Sequence, residues 1–347
     1  MDDRVRNGVL SELLAREAEQ HSDHRARALK RASSRALMWP VEAAELLEQG
    51  GSLTALPSVG PWVARLIEGW IDDPPMLADV PALRRGFITM AEALRALEAA
   101  PEYRAARADF QVHTTWSDGD EPLEVMAGEL AKRGYAFAAI TDHSQGLKIA
   151  GGMDEETLAR QWVEIEAVAA THESMEIWRG LEMNLSPQGE GDMDPAVLAQ
   201  LDLVLGTFHS ELRKTEDQTD RYLAAIANPT VDVFAHPVCR MYNRRTGLRA
   251  DWARVFAAAA DAGMALEIDC TLYRQDLPVE LLRIARDSGV WFSMGTDAHA
   301  IGELDYMPIG LGAAAIAGVS PERILTFRPP DEVREWVRER RARRAAG

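Results

Sequence analysis

From residue 108 onward, short apolar blocks alternate with stretches in which apolar positions recur every three or four residues. The blocks fall near 108–112, 137–141, 176–182, 202–208, 231–235, 264–269 and 290–295, and the helical patterns near 121–133, 155–170, 194–200, 219–227, 250–262 and 278–288. Continuous apolar runs bounded by turn residues predict strands buried on both faces, and the amphipathic stretches between them predict crossover helices. An α/β chain of this pattern is long enough to close a parallel sheet into a barrel of about seven strands. Ahead of residue 107 the periodicity is helical only, over 9–19, 25–36 and 89–99. Residues 53–67 predict a hairpin: a helix, a tight turn from Pro57 to Gly60, and a second helix entered with Pro61 at its first position. The run from Asp72 to Pro81 breaks periodicity. This divides the chain into a helical domain over 1–72, a linker with one helix over 73–106 and a barrel over 107–347.

Each predicted strand except that at 264–269 leads into residues that bind metals. The stretch Gln111-Val-His-Thr-Thr-Trp-Ser-Asp-Gly119 places His113 and Asp118 in a turn, where both can converge on one pocket. His143, Glu182, His209, His236, Asp297 and His299 follow in the same position, at or just past a strand's carboxyl end. That end carries the active site in barrels of this kind, whereas packing alone would scatter histidines over both ends. His21, His24 and His172 lie on helices or helix ends and read as surface residues.

Composition and charge narrow the picture further. With 47% hydrophobic and 27% charged residues, a sizeable core is expected. No apolar run approaches a membrane span and no signal-peptide pattern opens the chain, so a cytoplasmic location without membrane contact is expected. The two cysteines, Cys239 and Cys270, have no metal-type spacing and read as core residues of a protein in a reducing compartment. A formal charge of -17 argues against coating nucleic acid by bulk electrostatics and leaves local phosphate contacts open. Arg25, Arg27, Lys30, Arg31 and Arg35 concentrate positive charge on one helix.

The hairpin resembles the helix-hairpin-helix of family X DNA polymerases, which holds DNA backbone. In that family the turn reads Gly-hydrophobic-Gly; here Ser58 replaces the first glycine and Pro61 removes one N–H donor. The resemblance implies DNA contacts at Ser58, Gly60 and Arg65. The motifs Thr141-Asp-His-Ser, Gly180-Leu-Glu182, Phe208-His-Ser, His236-Pro and Thr296-Asp-Ala-His299 closely resemble the PHP (polymerase and histidinol phosphatase) family, nearest to the PHP domain of bacterial family X polymerases. The resemblance covers 107–347 and implies a distorted (β/α)7 TIM-like barrel that hydrolyses phosphate esters with two to three divalent metals, zinc or manganese, with iron as a further choice.

Carried over, it implies one metal on His113, Glu182 and Asp297, a second on Glu182, His209 and His236, and a third on Asp118, His143 and His299. Gln111 stands where the family has a further histidine ligand, and an amide oxygen binds these cations less well than imidazole. Arg240 aligns with the family's arginine, so it is expected to hold phosphoryl oxygens beside the catalytic ligands Glu182 and His209. Arg244, Arg245 and Lys148 are further substrate contacts, and Arg221 reads as solvated. The interval 73–106 has no room for polymerase fingers, palm and thumb, so DNA synthesis is excluded. The expected activity is a phosphoesterase on DNA ends, as 3'-5' exonuclease or 3'-phosphatase. The alternatives are a phosphatase for a small phosphomonoester of the histidinol phosphate kind, and a DNA-binding module with a degenerate metal site. Nothing in the sequence points to a protein partner.

Overall fold

The computed structural model describes residues 5–77 and 79–345, and the chain divides into two compact units after Ala99. Among the described residues no helix is long and apolar enough to cross a membrane.

The amino-terminal unit is helical: Asn7–Glu19, His24–Ala36, Ala43–Glu48, Pro61–Asp72 and Met90–Ala99. Asp23 caps the second helix by accepting from Arg25 N at 2.8 Å, and Gly60 with Pro61 opens the fourth. The hairpin differs from expectation in its first arm. Gly50 and Gly51 before it and Pro57 after it leave room for a single 3-10 turn, Leu53–Ala55, rather than a helix. Trp39, fully buried, donates Nε1 to Pro57 O at 3.2 Å and so ties the turn to the core. The interval read as a linker is partly built into this unit. Met90 N donates to Leu37 O at 2.7 Å, and Arg84 Nε meets the buried Glu12 carboxylate at 2.6 Å.

The second unit is a seven-stranded parallel sheet in sequence order, with strands β1 Ala108–Val112, β2 Phe137–Ile140, β3 Glu176–Asn184, β4 Leu203–Thr207, β5 Val233–Phe234, β6 Ala265–Asp269 and β7 Trp291–Gly295. It curls into a nearly closed TIM-like barrel, as expected. The seam between β7 and β1 is closed by His113 N donating to Ala298 O at 2.9 Å, and by Asp109 accepting from Thr296 N at 3.0 Å and Thr296 Oγ1 at 2.6 Å. Phe110, Phe137, Trp178, Leu205 and Val233 pack into one apolar cluster, to which the carboxyl-terminal helix Pro330–Ala345 adds Val333, Trp336 and Val337. That helix is rich in charged residues, and its buried Arg340 is neutralised by Asp232 at 3.1 Å. A further helix, Met307–Ala317, has no sequence signal because it is apolar on nearly every side. It packs on β6 through Gly310, where a Cβ would stand 2.3 Å from Cys270 Sγ.

Candidate metal centre

The ligand candidates reach one place because of how their strands end. The pairing of β1 with β2 shifts register between Asp109 and Val112. A bulge reverses which side chains face inward. Before it, Ala108 joins the apolar cluster of the strands; after it, Val112 packs against Leu123 and Met126 of the following helix. The turn after His113 is fastened by Asp142, which accepts from Thr114 N at 2.8 Å, Thr114 Oγ1 at 2.7 Å, Ser117 Oγ at 2.6 Å and Gln161 Nε2 at 2.6 Å. His236 and Asp297, each just past the end of its strand, adopt left-handed backbone at φ 30° and φ 52°. Such conformations cost about 1–3 kcal/mol each and persist where the surroundings enforce them, commonly at functional sites.

Glu182 is the hub. Its Oε1 lies 2.9 Å from His236 Nε2 and 3.4 Å from His209 Nε2; its Oε2 lies 3.3 Å from both His113 Nε2 and His143 Nδ1. Asp297 Oδ1 is 3.1 Å from His113 Nε2, and Asp118 Oδ1 is 3.3 Å from His299 Nε2 and 3.4 Å from His143 Nε2. The rings of His113 and His299 stack 4.2 Å apart, and those of His113 and His143 stack 4.5 Å apart.

Three ligand groups result: His113, Glu182 and Asp297; His143, Glu182 and His209; and His113, Asp118, His143 and His299. The first is the set expected. The second has His143 where His236 was expected. His143 and His209 have ring centroids 5.2 Å apart against 5.9 Å for His209 and His236. His236 still touches Glu182, with its Nδ1 3.1 Å from Thr207 Oγ1.

Charge distribution matches a cation site. Burial opposes the charge on Glu182, yet the surrounding His143, His113, His209 and His236 hold its carboxyl well below the usual range. Burial likewise opposes a charged His113, but the carboxylate of Asp297, hydrogen-bonded to its Nε2, and that of nearby Glu182 hold its pKa well above ordinary. His143 is driven down to about 3 by burial, with His113 and His209 adding to it. Nδ1 of His113, Nδ1 of His143 and Oε2 of Glu182 are buried without a hydrogen bond. Buried polar groups are normally satisfied, so these orphans mark a place for an additional partner. Imidazole nitrogens and carboxylate oxygens in this arrangement suit several divalent ions.

Gln111 is fully buried, and neither its Oε1 nor its Nε2 has a hydrogen-bond partner. Of the substrate contacts expected, Lys148 and Arg244 are exposed, and Arg245 is half-buried with Nε bonded to Cys239 O. Arg240 is buried and donates Nε to Arg274 O at 2.8 Å; burial lowers its pKa to about 10, and its charged neighbours are Asp276, Glu280 and Asp269. The arginine that meets the cluster is Arg274, with Nη1 2.9 Å from Asp297 Oδ2 and 3.7 Å from Asp269 Oδ2. It went unread because the loop after β6 carries no histidine to draw attention. Asn184, whose Oδ1 lies 3.3 Å from His209 Nδ1, was missed for a similar reason. In the helical unit, Ser58, Gly60 and Arg65 are exposed, and Ser58 has left-handed backbone.

A parallel barrel that gathers histidines and carboxylates at the carboxyl ends of its strands defines a class, the metal-dependent hydrolases on TIM-like barrels. No family model matches the chain. It is 37% identical over 233 residues to the DNA polymerase/3'-5' exonuclease PolX of Bacillus subtilis (strain 168), an alignment covering 67% of this chain and 41% of that protein. It is 28% identical over 240 residues to the probable phosphatase YcdX of Escherichia coli (strain K12), covering 63% of this chain and 92% of the relative. Among solved structures, the histidinol phosphate phosphatase of Lactococcus lactis, complexed with zinc, L-histidinol and phosphate, aligns with TM-score 0.46 and 17% identity over 62% of this chain and 95% of that one. Within the class, the chain belongs to the PHP family of metal-dependent phosphoesterases. It spans about two fifths of the polymerase relative and most of the phosphatase relative.

Proposed function

We propose that this chain hydrolyses phosphate esters at DNA ends, as a 3'-5' exonuclease or 3'-phosphatase, in the cytoplasm. The observation that carries the chemistry is the convergence of four imidazoles on the two oxygens of Glu182, next to an arginine. Likeness to a protein named for 3'-5' exonuclease activity supports DNA as substrate. So do the exposed Arg25, Arg27, Lys30 and Arg31 on one helix of the unit that also holds the hairpin. A small phosphomonoester is the second reading, favoured by the phosphatase relative, most of whose length this chain spans.

His113, Glu182 and Asp297 would hold one ion, Glu182, His209 and His143 or His236 a second, and Asp118, His143 and His299 a third. Divalent ions there supply Lewis acidity toward the phosphoryl oxygen and lower the pKa of water to near neutrality. Glu182 is shared by two groups and fixes their spacing. Arg274 is the fixed cation beside Asp297, with a fifth of its side chain open to solvent, and is placed to hold phosphoryl oxygens as charge develops on them. A covalent intermediate is not part of this proposal. Burial pushes the Cys239 thiol up to about 12 and the Cys270 thiol well above its ordinary value, so neither is a nucleophile at neutral pH.

Elemental analysis after zinc or manganese reconstitution, run with hydrolysis assays on 3'-labelled oligonucleotides, p-nitrophenyl phosphate and its bis ester, tests the proposal. Two to three ions per chain with hydrolysis of the labelled 3' ends is expected. Fewer than one ion, or no hydrolysis of any ester by loaded protein, overturns it; hydrolysis of the monoester alone selects the second reading.

A further inference from the structure

Arg221, on the helix Thr219–Ala227 between β4 and β5, is a buried guanidinium where the sequence suggested a solvated one. Its guanidinium carbon lies 3.8 Å from the centroid of the Phe208 ring, and Nη2 donates to Ser210 O at 3.0 Å. Nε and Nη1 are buried without a hydrogen bond. The carboxylate it feels most, Glu211, is exposed and engaged with Lys214 at 2.8 Å. A guanidinium is rarely buried without a carboxylate or phosphate, because desolvation of the charge is costly. Its retention therefore asks for a purpose beyond packing.

The two residues it grips are those on either side of His209. β4 ends at Thr207, and the chain then runs irregularly to Gln218, passing through left-handed backbone at Glu211 (φ 54°). No ladder hydrogen bond holds His209 there; its ring has Asn184 Oδ1 at 3.3 Å and Glu182 Oε1 at 3.4 Å. Phe208 is fixed from its other sides by edge contacts with Tyr222 and Phe234, at 5.5 and 5.3 Å between centroids. Tyr222 in turn donates its hydroxyl to Pro237 O, next to His236. The cation on the ring and the bond to the carbonyl pin the backbone before and after the imidazole.

We propose that Arg221 is a positioning residue: it fixes the direction from which His209 presents its imidazole to the metal cluster, by clamping Phe208 and Ser210 together. This rests on His209 being a metal ligand. Residues that orient ligands without touching the metal typically account for roughly 10- to 100-fold in metal affinity.

The test is cobalt(II) titration of the full chain, read by the visible d–d spectrum and by the dissociation constant of each ion, for wild type, Arg221→Met, Arg221→Lys and His209→Ala. Arg221→Met keeps the length and apolar stem and removes charge and donors. It is expected to weaken one ion about tenfold or more and to move the d–d bands toward those of His209→Ala. Arg221→Lys, which can sit over the ring and donate to Ser210 O, is expected to recover most of the affinity and the spectrum. If His209→Ala loses the ion while both Arg221 variants bind cobalt with wild-type affinity and spectrum, the clamp is wrong and the ligand assignment stands. If His209→Ala itself binds like wild type, the ligand assignment fails and the clamp falls with it. Should Arg221→Met fail to fold, an Arg221→Lys protein that folds but shows no trace of the wild-type spectrum also overturns the proposal.

Discussion

Arg274 Nη1 stands 2.9 Å from Asp297 Oδ2, while Asp297 Oδ1 is 3.1 Å from His113 Nε2, so a guanidinium and an imidazole share one buried carboxylate. Burial opposes the charge on Asp297, but Arg274 above all holds its carboxyl far below the ordinary range. Arg240 supports this arrangement indirectly through its bond to the Arg274 carbonyl. Arg274→Ala is therefore expected to lower turnover roughly 100-fold or more, at about 1.4 kcal/mol per factor of ten. Metal content should be retained, since the change removes a competing cation and no ligand. Arg240→Ala should cost less. Steady-state kinetics with elemental analysis decide it, and a larger loss in Arg240→Ala would return the role to that residue.

Much of this site was legible because parallel strands buried on both faces are nearly unbroken apolar runs, and each candidate ligand lies near the carboxyl end of such a run or just past it. What escaped has physical reasons. The bulge in β1 is a matter of register with β2, and no residue type at 109–112 announces it. The Met307–Ala317 helix lacks a polar face and so lacks periodicity. The ties of the interval 73–106, read as a linker with one helix, were not legible because Arg84 to Glu12 and Met90 to Leu37 span long sequence distances. That Arg274 and not Arg240 pairs with Asp297 depends on where two loops meet.

Gln111 offers a gain-of-function test. It is buried two residues before His113, with both amide atoms lacking partners, at the position where the family has a histidine. Gln111→His is expected to tighten the ion held by His113 about tenfold or more, roughly 1.4 kcal/mol. Metal competition under limiting zinc or manganese measures this. Unchanged affinity would place residue 111 outside the coordination shell.

The amino-terminal unit has its own pH dependence. Glu12 is buried between Arg84, with Nε at 2.6 Å, and Arg16, with Nε at 2.6 Å. Burial opposes its charge, yet the hydrogen bonds from Arg84 and Arg16 leave its pKa below the ordinary 4.5. A depressed folded-state pKa contributes stability that is present above 4.5 and is lost as pH falls through the folded value. Glu12→Gln is expected to destabilise this unit by about 1–3 kcal/mol at neutral pH. The gap from wild type should close as the solution is acidified below 4.5. Urea denaturation at a series of pH values reads it, and a gap that widens on acidification contradicts the assignment.

Ser58 tests the hairpin. Its φ of 65° puts a residue with a Cβ in left-handed backbone, at the first glycine of the turn in the hairpins it resembles. The left-handed conformation costs about 1–2 kcal/mol for such a residue. Glycine escapes that cost but loses more backbone freedom on folding, about 0.5–1 kcal/mol. Ser58 is exposed, so no packing is lost with its side chain. The difference predicts that Ser58→Gly stabilises the helical unit by about 0.5–1 kcal/mol. The turn's backbone donors are untouched by the change, so binding of a short DNA duplex should be no weaker than in the parent. Thermal denaturation and a duplex titration at fixed salt provide the two readings. A Ser58→Gly protein that melts below the parent would mean that the turn does not hold residue 58 left-handed in solution, and the likeness to a DNA-binding hairpin would lose its geometric basis.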